Sequence, residues 1–415
     1  MWLVFASIAA CNAHSPGLQR SGARAIDSAA TTRENRANVL HALSPELEAR
    51  ARTLVENQVY PGLSIAVVLD GRTQWAYQVG QKDIASGAAV RPETCFRLAS
   101  ITKTVTALAI LALRDEGLLA LDDPISRALP QAKTWRPVTS DSPEVTWRHL
   151  LTHTAGLPRT GSLDFTRTDT PVTRLELETA LTNLSLIASP GTQTRYSNLG
   201  YAALGLALSN ITQEPFPELV TSKLLRPLTM TEAGFARREC TDVATGYVRA
   251  GRSRAETFGA RTDWRFGVAA AVGGMYASAR AVATWMQFQM NAWPPRNGTD
   301  NSVVKRATRR ESHRLGGFSH PGQASFGIGW GVASFNRQGQ VIVSHSGSTW
   351  TWGASVRMLV ERGIGIVALG NSGGSAALSR YTLDALRHID GVFQELGIAD
   401  FRPSRARMSP VRQTQ

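Results

Sequence analysis

The stretch "FRLASITKTVTALAILAL", Phe96–Leu113, carries one lysine at the head of a run that turns apolar after it. Ser100 and Lys103 are three apart, so a helix starting near Ser100 puts both on one face of its first turn. Burial disfavours a charged amine, and so does the partial positive charge of a helix N-terminus. The neighbouring sequence offers no acidic partner. A lysine so placed is driven toward the neutral amine that a general base must be, a form arginine does not reach. The lysines of this arginine-rich chain are Lys82, Lys103, Lys133, Lys223 and Lys305, so a lysine at this point is informative. Free N–H groups at the same helix terminus could stabilise an oxyanion forming beside Ser100.

The spacing is not sufficient alone, because S-x-x-K arises by chance about once in a chain of this length. A second copy, Ser302-Val-Val-Lys305, lies in a polar basic loop where nothing would desolvate the amine. Two further stretches strengthen the first copy. "TRYSNLGYAALG" sets Tyr196, Ser197 and Asn198 at the mouth of an apolar helix, and "VSHSGSTWTWG" sets His345, Ser346 and Gly347 at the end of a strand. A phenol titrates at about 10 when unperturbed, so Tyr196 would need Lys103 or His345 nearby to ionise. The plainer alternative at Tyr196 and Asn198 is a helix-capping turn.

Two other patterns compete. Gly370-Asn371-Ser372-Gly373-Gly374 fits the G-x-S-x-G elbow, but the acids and the histidine after it, Asp384, His388, Asp390, Glu395 and Asp400, mostly fall on the next helix. A Gly-rich turn ending a strand is the better reading. His149 and His153 are spaced like a zinc pair, yet Leu150 stands where that motif wants glutamate, so a structural turn is expected and no metal. Trp147, Trp264, Trp330, Trp350 and Trp352 read mostly as core, with Trp350 and Trp352 also placed to line an acyl pocket.

Elements must hold these residues. Pro45–Val59 reads as a helix with Ser44 as its cap and Pro45 in its first position. "LSIAVVLDGRTQWAYQVG" is a hairpin turning at Asp70-Gly71. A lone hairpin is marginal in water, and its partners are expected near the other end, in "SFGIGWGVAS", "QVIVSHSG", "TWGASVRMLV" and "IGIVALG". The long middle is mostly helical, as in "AALGLALSNI" and "ARAVATWMQFQM", and a last helix spans about 376–396. The expectation is an α+β fold: an antiparallel sheet built from both chain ends, flanked by helices, with a largely helical region inserted and a cleft between them.

At 415 residues and 43% hydrophobic, the chain can bury a sizeable core. Its formal charge of +13 concentrates in a stretch read as a solvated, mobile linker (Lys305, Arg306, Arg309, Arg310, Arg314) and in the tail (Arg402, Arg405, Arg407, Arg412). No aromatic-basic interleaving accompanies it, so no nucleic-acid partner is expected. "MWLVFASIAAC" is too short to span a membrane and resembles the end of an export signal lacking its positive n-region, with a true start upstream of Met1 left open. Ile8-Ala9-Ala10-Cys11 resembles a lipobox, whose cysteine is lipidated; a frayed terminus is the other reading. Spacing does not decide whether Cys95 and Cys240 pair.

In fixed order, S-x-x-K, Y-x-N and H-S-G resemble the active-site motifs of the serine β-lactamase and penicillin-binding-protein superfamily. "HLLTHTAGLP" (His149–Pro158), "PGTQTRYSNLGYAALG" (Pro190–Gly205), "LLRPLTMTEAGF" (Leu224–Phe235), "GGMYASARAVATWM" (Gly273–Met286) and "HSGSTWTWG" look like its class C-type branch, which includes β-lactamases, D-amino-acid peptidases and carboxylesterases. The resemblance runs over about Pro45 to Leu396. It implies a β-lactamase-like hydrolase domain over 41–396; the polar composition of "AHSPGLQRSGARAIDSAATTREN" makes 1–40 export signal and linker, and charge makes 397–415 a basic tail. Within the domain, sheet parts of about 41–115 and 325–396 enclose a helical insert of about 116–324.

By the same resemblance Ser100 is the acylated nucleophile, with Lys103 and Tyr196 sharing its proton and either one serving as base. Asn198 binds a substrate amide. Ser346, Gly347 and Ser348 line the strand beside the substrate, Gly347 letting its backbone pass close. The N–H groups of Ser100 and Ser348 form the oxyanion hole. His345 departs from the lysine of β-lactamases, so strong β-lactamase activity is not expected, and carboxylate-bearing substrates should react best while His345 is protonated. The implied protein is an exported serine hydrolase, periplasmic or lipid-anchored through Cys11. It needs no cofactor and cleaves an amide or ester bond in a D-amino-acid peptide, a small ester or a β-lactam, peptidoglycan-derived material among the candidates. Specificity would reside in inserted loops such as "RTGSLDFTRTDTPVTR". The rival reading is a slowly acylated penicillin-binding sensor or scaffold of the cell wall.

Overall fold

A computed structural model describes residues 21–249, 258–316, 325–335, 339–398 and 400, with 21–30 as backbone only. In chain order, α1 (Ser21–Glu56) precedes the hairpin β1 (Gly62–Leu69) and β2 (Arg72–Asp83) and a short β3 (Ala88–Ala89). β4 (Cys95–Arg97) runs through a 3-10 turn, Ala99–Ile101, into α2 (Thr102–Asp115). The middle carries α3 (Trp147–Leu151), α4 (Arg174–Leu181), α5 (Asn198–Thr212) and α6 (Phe216–Val220). Short strands follow: β5 (Ala233–Gly234), β6 (Tyr247–Arg249), β7 (Phe258–Ala260) and β8 (Tyr276–Ser278), then α7 (Ala279–Met290) and α8 (Arg306–Ser312). The meander β9 (Gly331–Ser334), β10 (Val341–Ser348), β11 (Gly353–Leu359) and β12 (Ile364–Gly370) leads to α9 (Ala376–Glu395).

The two chain ends do build one sheet, in the order β3-β2-β1-β12-β11-β10-β9. Its seam is the antiparallel ladder from Leu63↔Gly370 to Leu69↔Ile364. Asp70 and Gly71 turn the first hairpin with φ of 54° and 78°, the left-handed pair that an Asp-Gly turn supplies. Alternation sorts the side chains. Leu63, Ile65, Val67, Ile364 and Ile366 face a core shared with α1 and α9, while Ala66, Val68, Val356 and Val367 face the larger core of the helical region. The sheet is therefore a wall between two hydrophobic cores, as its fully buried central strands require. Val343, His345 and Gly347 of β10 are buried, Val343 belonging to the core of the helical region, so this strand presents His345 to the insert.

Two expectations about α1 are corrected. Pro45 lies inside α1 rather than at its start. A proline lacks the N–H that would bond the carbonyl four residues back, which is that of His41. The Ser44 hydroxyl donates to that carbonyl at 2.8 Å, so Ser44 repairs a continuous helix instead of capping a new one. Farther back, α1 takes in residues from 21 onward that composition had given to a linker. It is tied down by Arg36, fully buried and bonded to Asp70 at 3.0 Å and to the Arg362 carbonyl at 2.7 Å.

The basic stretch around Arg309, expected to be mobile, contains α8. Arg309 is buried with its guanidinium 4.0 Å over the Phe288 ring and bonded to the Phe288 carbonyl; Arg310 donates to the Ala292 carbonyl at 2.7 Å. Their stems and donors serve as packing material. Cys11 and the arginines of the tail fall outside the described residues. Among the described residues, no helix is long and apolar enough to cross a membrane.

Candidate active site

The chain approaches Ser100 along β4, which is held on both flanks. β4 pairs with β8, and Cys95 is joined to Cys240 by a disulfide. Leu98 N–H donates to the Met275 carbonyl at 2.8 Å, and Met275 N–H to the Thr102 hydroxyl at 3.2 Å. Ala99, immediately before Ser100, has φ 47°, a left-handed conformation that costs a non-glycine residue about 1–3 kcal/mol and survives only under outside support. β10 supplies support. A Cβ on Gly347 would lie 2.0 Å from the Leu98 carbonyl oxygen and 3.2 Å from the Ala99 Cβ, so only glycine lets the strand press against this turn. The sequence reading explained Gly347 by passage of the substrate backbone. Its bare Cα instead faces the turn that carries the serine.

Lys103 is fully buried. Its Nζ lies 3.1 Å from Ser100 Oγ and donates to the Val272 carbonyl at 2.8 Å. Among the described residues no carboxylate pairs with it. Burial, then the charge of Arg159, pushes its pKa well below the usual lysine value. A neutral Nζ has a lone pair, and the Ser100 hydroxyl is the donor within reach of it.

Tyr196 and Asn198 flank a cap. The Ser197 hydroxyl accepts from Gly200 N–H at 2.9 Å and donates to the Pro158 carbonyl at 2.7 Å, fixing the start of α5. The capping turn is thus real, and it positions its two neighbours. The Tyr196 phenol is hydrogen-bonded to Ser100, and its ring centroid is 5.1 Å from Lys103 Nζ. Burial pushes the phenol up to about 12 in spite of that bond, so it is neutral near pH 7. Asn198 N–H donates to the Arg159 carbonyl at 2.8 Å, while its Oδ1 is buried without a hydrogen-bond partner among the described residues.

His345 closes the cluster, its ring centroid 6.5 Å from that of Tyr196. Burial, and then the nearby Lys103, lowers it to about 4. At that value it is uncharged at neutral pH, so the protonated form expected to favour carboxylates would be populated only in acid. Nδ1 and the Ser346 carbonyl are 2.8 Å apart, which assigns the proton to Nδ1 and leaves Nε2, buried and without a partner among the described residues, as an acceptor. Ser346 and Ser348 alternate to the exposed side of β10. Among the described residues, no hydrogen bond joins either side chain to Ser100, Lys103 or Tyr196.

The other patterns fall elsewhere. Asn371 of the G-x-S-x-G run is buried and bonds Gly62 N–H and the Gln81 carbonyl, and Ser372 is buried, so this segment ties β12 to the hairpin. His149 and His153 spend their Nδ1 atoms accepting from Thr146 and Ser197 N–H, at 3.2 and 3.1 Å. Among the described residues no cluster could hold a metal. Trp352 is fully buried and donates to Asp263 at 2.6 Å, whereas Trp350 is exposed and meets Trp264 edge to face at 5.6 Å. Lys305 of the second S-x-x-K is exposed.

Three neighbours escaped the sequence reading. The Val272 carbonyl is backbone and has no letter of its own. His153 lies against Tyr196, ring centroids 4.3 Å apart and planes tilted by 31°; the sequence had suggested it only as half of a zinc pair or part of a turn, not as a neighbour of the phenol. Arg159 sets its guanidinium 5.2 Å from the Tyr196 ring centroid. It directly follows "HLLTHTAGLP" and opens the loop named for specificity, which is the signal that could have found it.

Fold and cluster together define a protein of the β-lactamase and penicillin-binding class. The Beta-lactamase family profile matches residues 47–390, and the chain belongs to that family. The relatives include Protein flp of Staphylococcus aureus (strain MRSA252), 27% identical over 335 residues, or 79% of this chain and 64% of that protein. The chain thus spans less than two thirds of the flp proteins it matches. The D-alanyl-D-alanine-carboxypeptidase/endopeptidase AmpH of Escherichia coli (strain K12) is 26% identical over 304 residues, 72% of this chain and 76% of AmpH. The octameric penicillin-binding protein homologue of Pyrococcus abyssi superposes with a TM-score of 0.73 at 27% identity, covering 84% of this chain and 77% of that one. A β-lactamase/D-alanine carboxypeptidase of Yersinia pestis shares the fold, with a TM-score of 0.67 at 24% identity, over 84% of this chain and 99% of that one. Family and relatives are of the serine-hydrolase type.

Proposed function

We propose that the chain hydrolyses amide or ester bonds through an acyl-enzyme on Ser100, with D-amino-acid peptides and small esters as the substrate classes. The observation that carries this reading is the buried Lys103 amine, with no carboxylate partner among the described residues, 3.1 Å from the Ser100 hydroxyl. Ser100 Oγ adds to the substrate carbonyl as its proton passes to Lys103 Nζ. The neutral Tyr196 phenol, bonded to the same oxygen, relays a proton onward to the leaving group. Lys103 is the base in this reading, because burial lowers its pKa while raising that of Tyr196. In this reading the developing oxyanion is received by the N–H groups of Ser100 and Ser348, and the close approach of Gly347 to the turn before Ser100 supports it. The C–N or C–O bond breaks, the leaving group departs protonated, and the acyl group stays on Ser100. Water then adds to the ester, the proton route reverses, and the acid is released.

Asn198 Oδ1 and His345 Nε2, both buried and without a hydrogen-bond partner among the described residues, suit acceptors for the N–H groups of a peptide-like substrate. The relation to AmpH, a D-alanyl-D-alanine-carboxypeptidase/endopeptidase, supports the D-peptide choice. A buried neutral His345, where β-lactamases keep a cation, argues for weak β-lactam turnover. Export to an oxidising compartment belongs to the same reading and is supported by the Cys95–Cys240 disulfide.

Intact-mass labelling with a fluorophosphonate and with a β-lactam, followed by turnover assays on nitrophenyl esters, D-alanyl peptides and nitrocefin, tests it. One equivalent of label on Ser100 and sustained turnover that Ser100→Ala abolishes are expected. A single burst with no turnover would instead identify a slowly acylated sensor, and turnover surviving Ser100→Ala would remove the mechanism altogether.

A further inference from the structure

The cation beside the cleft is not on the strand that usually supplies it. We propose that Arg159 is an anion subsite, and that the preferred substrate carries a carboxylate which this guanidinium receives from the Tyr196–Asn198 side of the cleft. The inference rests on the acyl-enzyme reading for its substrate and on independent geometry for its site.

The Arg159 carbonyl accepts from Asn198 N–H at 2.8 Å and Leu199 N–H at 3.1 Å, which pins the residue to the first turn of α5. Its side chain is exposed, with the guanidinium carbon 5.2 Å from the Tyr196 ring centroid. A cation over an aromatic face is held in place while its N–H edge stays open to another partner. Among the described residues no carboxylate forms an ion pair with it. Its charge reaches Lys103, His153 and Tyr196 alike, so it borders the reacting groups and not a remote surface.

The opposite wall cannot take this role. His345 presents an unprotonated Nε2, an acceptor that would repel a carboxylate oxygen. Lys103 is spent on Ser100 and the Val272 carbonyl. An anionic substrate entering this cleft therefore finds its fixed positive charge at Arg159, where bidentate pairing also sets orientation.

The test uses the whole chain and two nitrophenyl esters of similar size, mono-4-nitrophenyl glutarate with a carboxylate and 4-nitrophenyl hexanoate without one. The readout is the ratio of their kcat/KM values. Arg159→Gln is expected to lower that ratio about 10- to 100-fold, the range for losing a charged hydrogen-bond partner. Arg159→Lys should restore part of it. Calorimetry with glutarate and glutaramide reads binding without turnover; the wild-type preference for glutarate should vanish in Arg159→Gln. An unchanged ratio overturns the proposal. So does an equal fall for both esters, which would make Arg159 a support for Tyr196 only. If neither ester is turned over by the wild type, the hydrolase reading fails, and the glutarate preference alone decides the subsite.

Discussion

At the scale of single residues, the site works through suppressed charges. Lys103 and His345 are both held toward their neutral forms by burial, and Tyr196 is held protonated. With a pKa of about 4, His345 should show no titration between pH 5 and 8, and NMR of its ring should report the Nδ1–H tautomer throughout. The pH profile of kcat/KM for a neutral ester should keep its shape over that range in His345→Gln. A ring titration centred near 6.5 would mean that the imidazole is solvated and that the expectation of a protonated anion receptor should return. Residue types made most of this cluster legible. A lysine before an apolar run, a lone Y-x-N and an H-S-G at a strand end led to Ser100, Lys103, Tyr196, Asn198 and His345. The charge state of His345 was not legible, because it depends on how completely the insert covers β10, and letters do not carry depth. Arg159 was hidden for a related reason: that no carboxylate among the described residues pairs with it is visible only in three dimensions.

At the scale of elements, the decisive contact is β10 against the turn before Ser100. A methyl group at Gly347 would overlap the Leu98 carbonyl at 2.0 Å, and backbone cannot step aside cheaply. Gly347→Ala should push the strand off the turn, with a loss of about 1–3 kcal/mol in stability as for other overpacked sites. Activity should fall at least about tenfold, since reacting groups tolerate little displacement. Gly391 in α9 makes the contrast, because a Cβ there would meet nothing within 4 Å. Gly391→Ala should stabilise by about 0.5–1 kcal/mol and leave turnover alone. Urea unfolding with parallel ester assays checks both; a silent Gly347→Ala would show that the strand and turn are not coupled. Elements of strong pattern were readable here. α7 occupies Ala279–Met290, as "ARAVATWMQFQM" indicates, and the Asp-Gly hairpin turns where expected. Pro45 misled because the usual place for proline is a helix start, and the rescue of the His41 carbonyl by Ser44 is a three-residue detail that propensity does not contain.

At the scale of the whole molecule, the sheet has to be closed on the side away from Ser100, and charge takes part in that closure. Arg36 of α1 meets Asp70 in the hairpin turn, and Arg362 before β12 meets Asp390 of α9 at 2.7 Å and also pairs with Asp400. Four segments distant in sequence are thereby joined at one end of the sheet. Arg36 and Asp70 have almost no exposed side-chain surface, so removing one partner strands the other in a dry setting. Arg36→Met should cost about 3–5 kcal/mol at neutral pH. The loss should depend on pH, and the sign follows from Asp70. Burial raises its carboxyl to about 6 even with Arg36 beside it, and without Arg36 it rises further. A carboxyl with a raised folded-state pKa binds more protons folded than unfolded, so its destabilising contribution grows as pH climbs from about 3.9 through the folded value and fades in acid. The gap in unfolding free energy between wild type and Arg36→Met should accordingly be wider at pH 8 than at pH 5. Kinetics on the folded fraction should be unaltered, since the sheet stands between this cluster and Ser100. An equal gap at both pH values would mean that losing Arg36 leaves the carboxyl pKa of Asp70 where it was. A loss of turnover in the folded fraction would mean that α1 steers the site through the sheet, and the division of the molecule into a closing face and a reacting face would have to be given up.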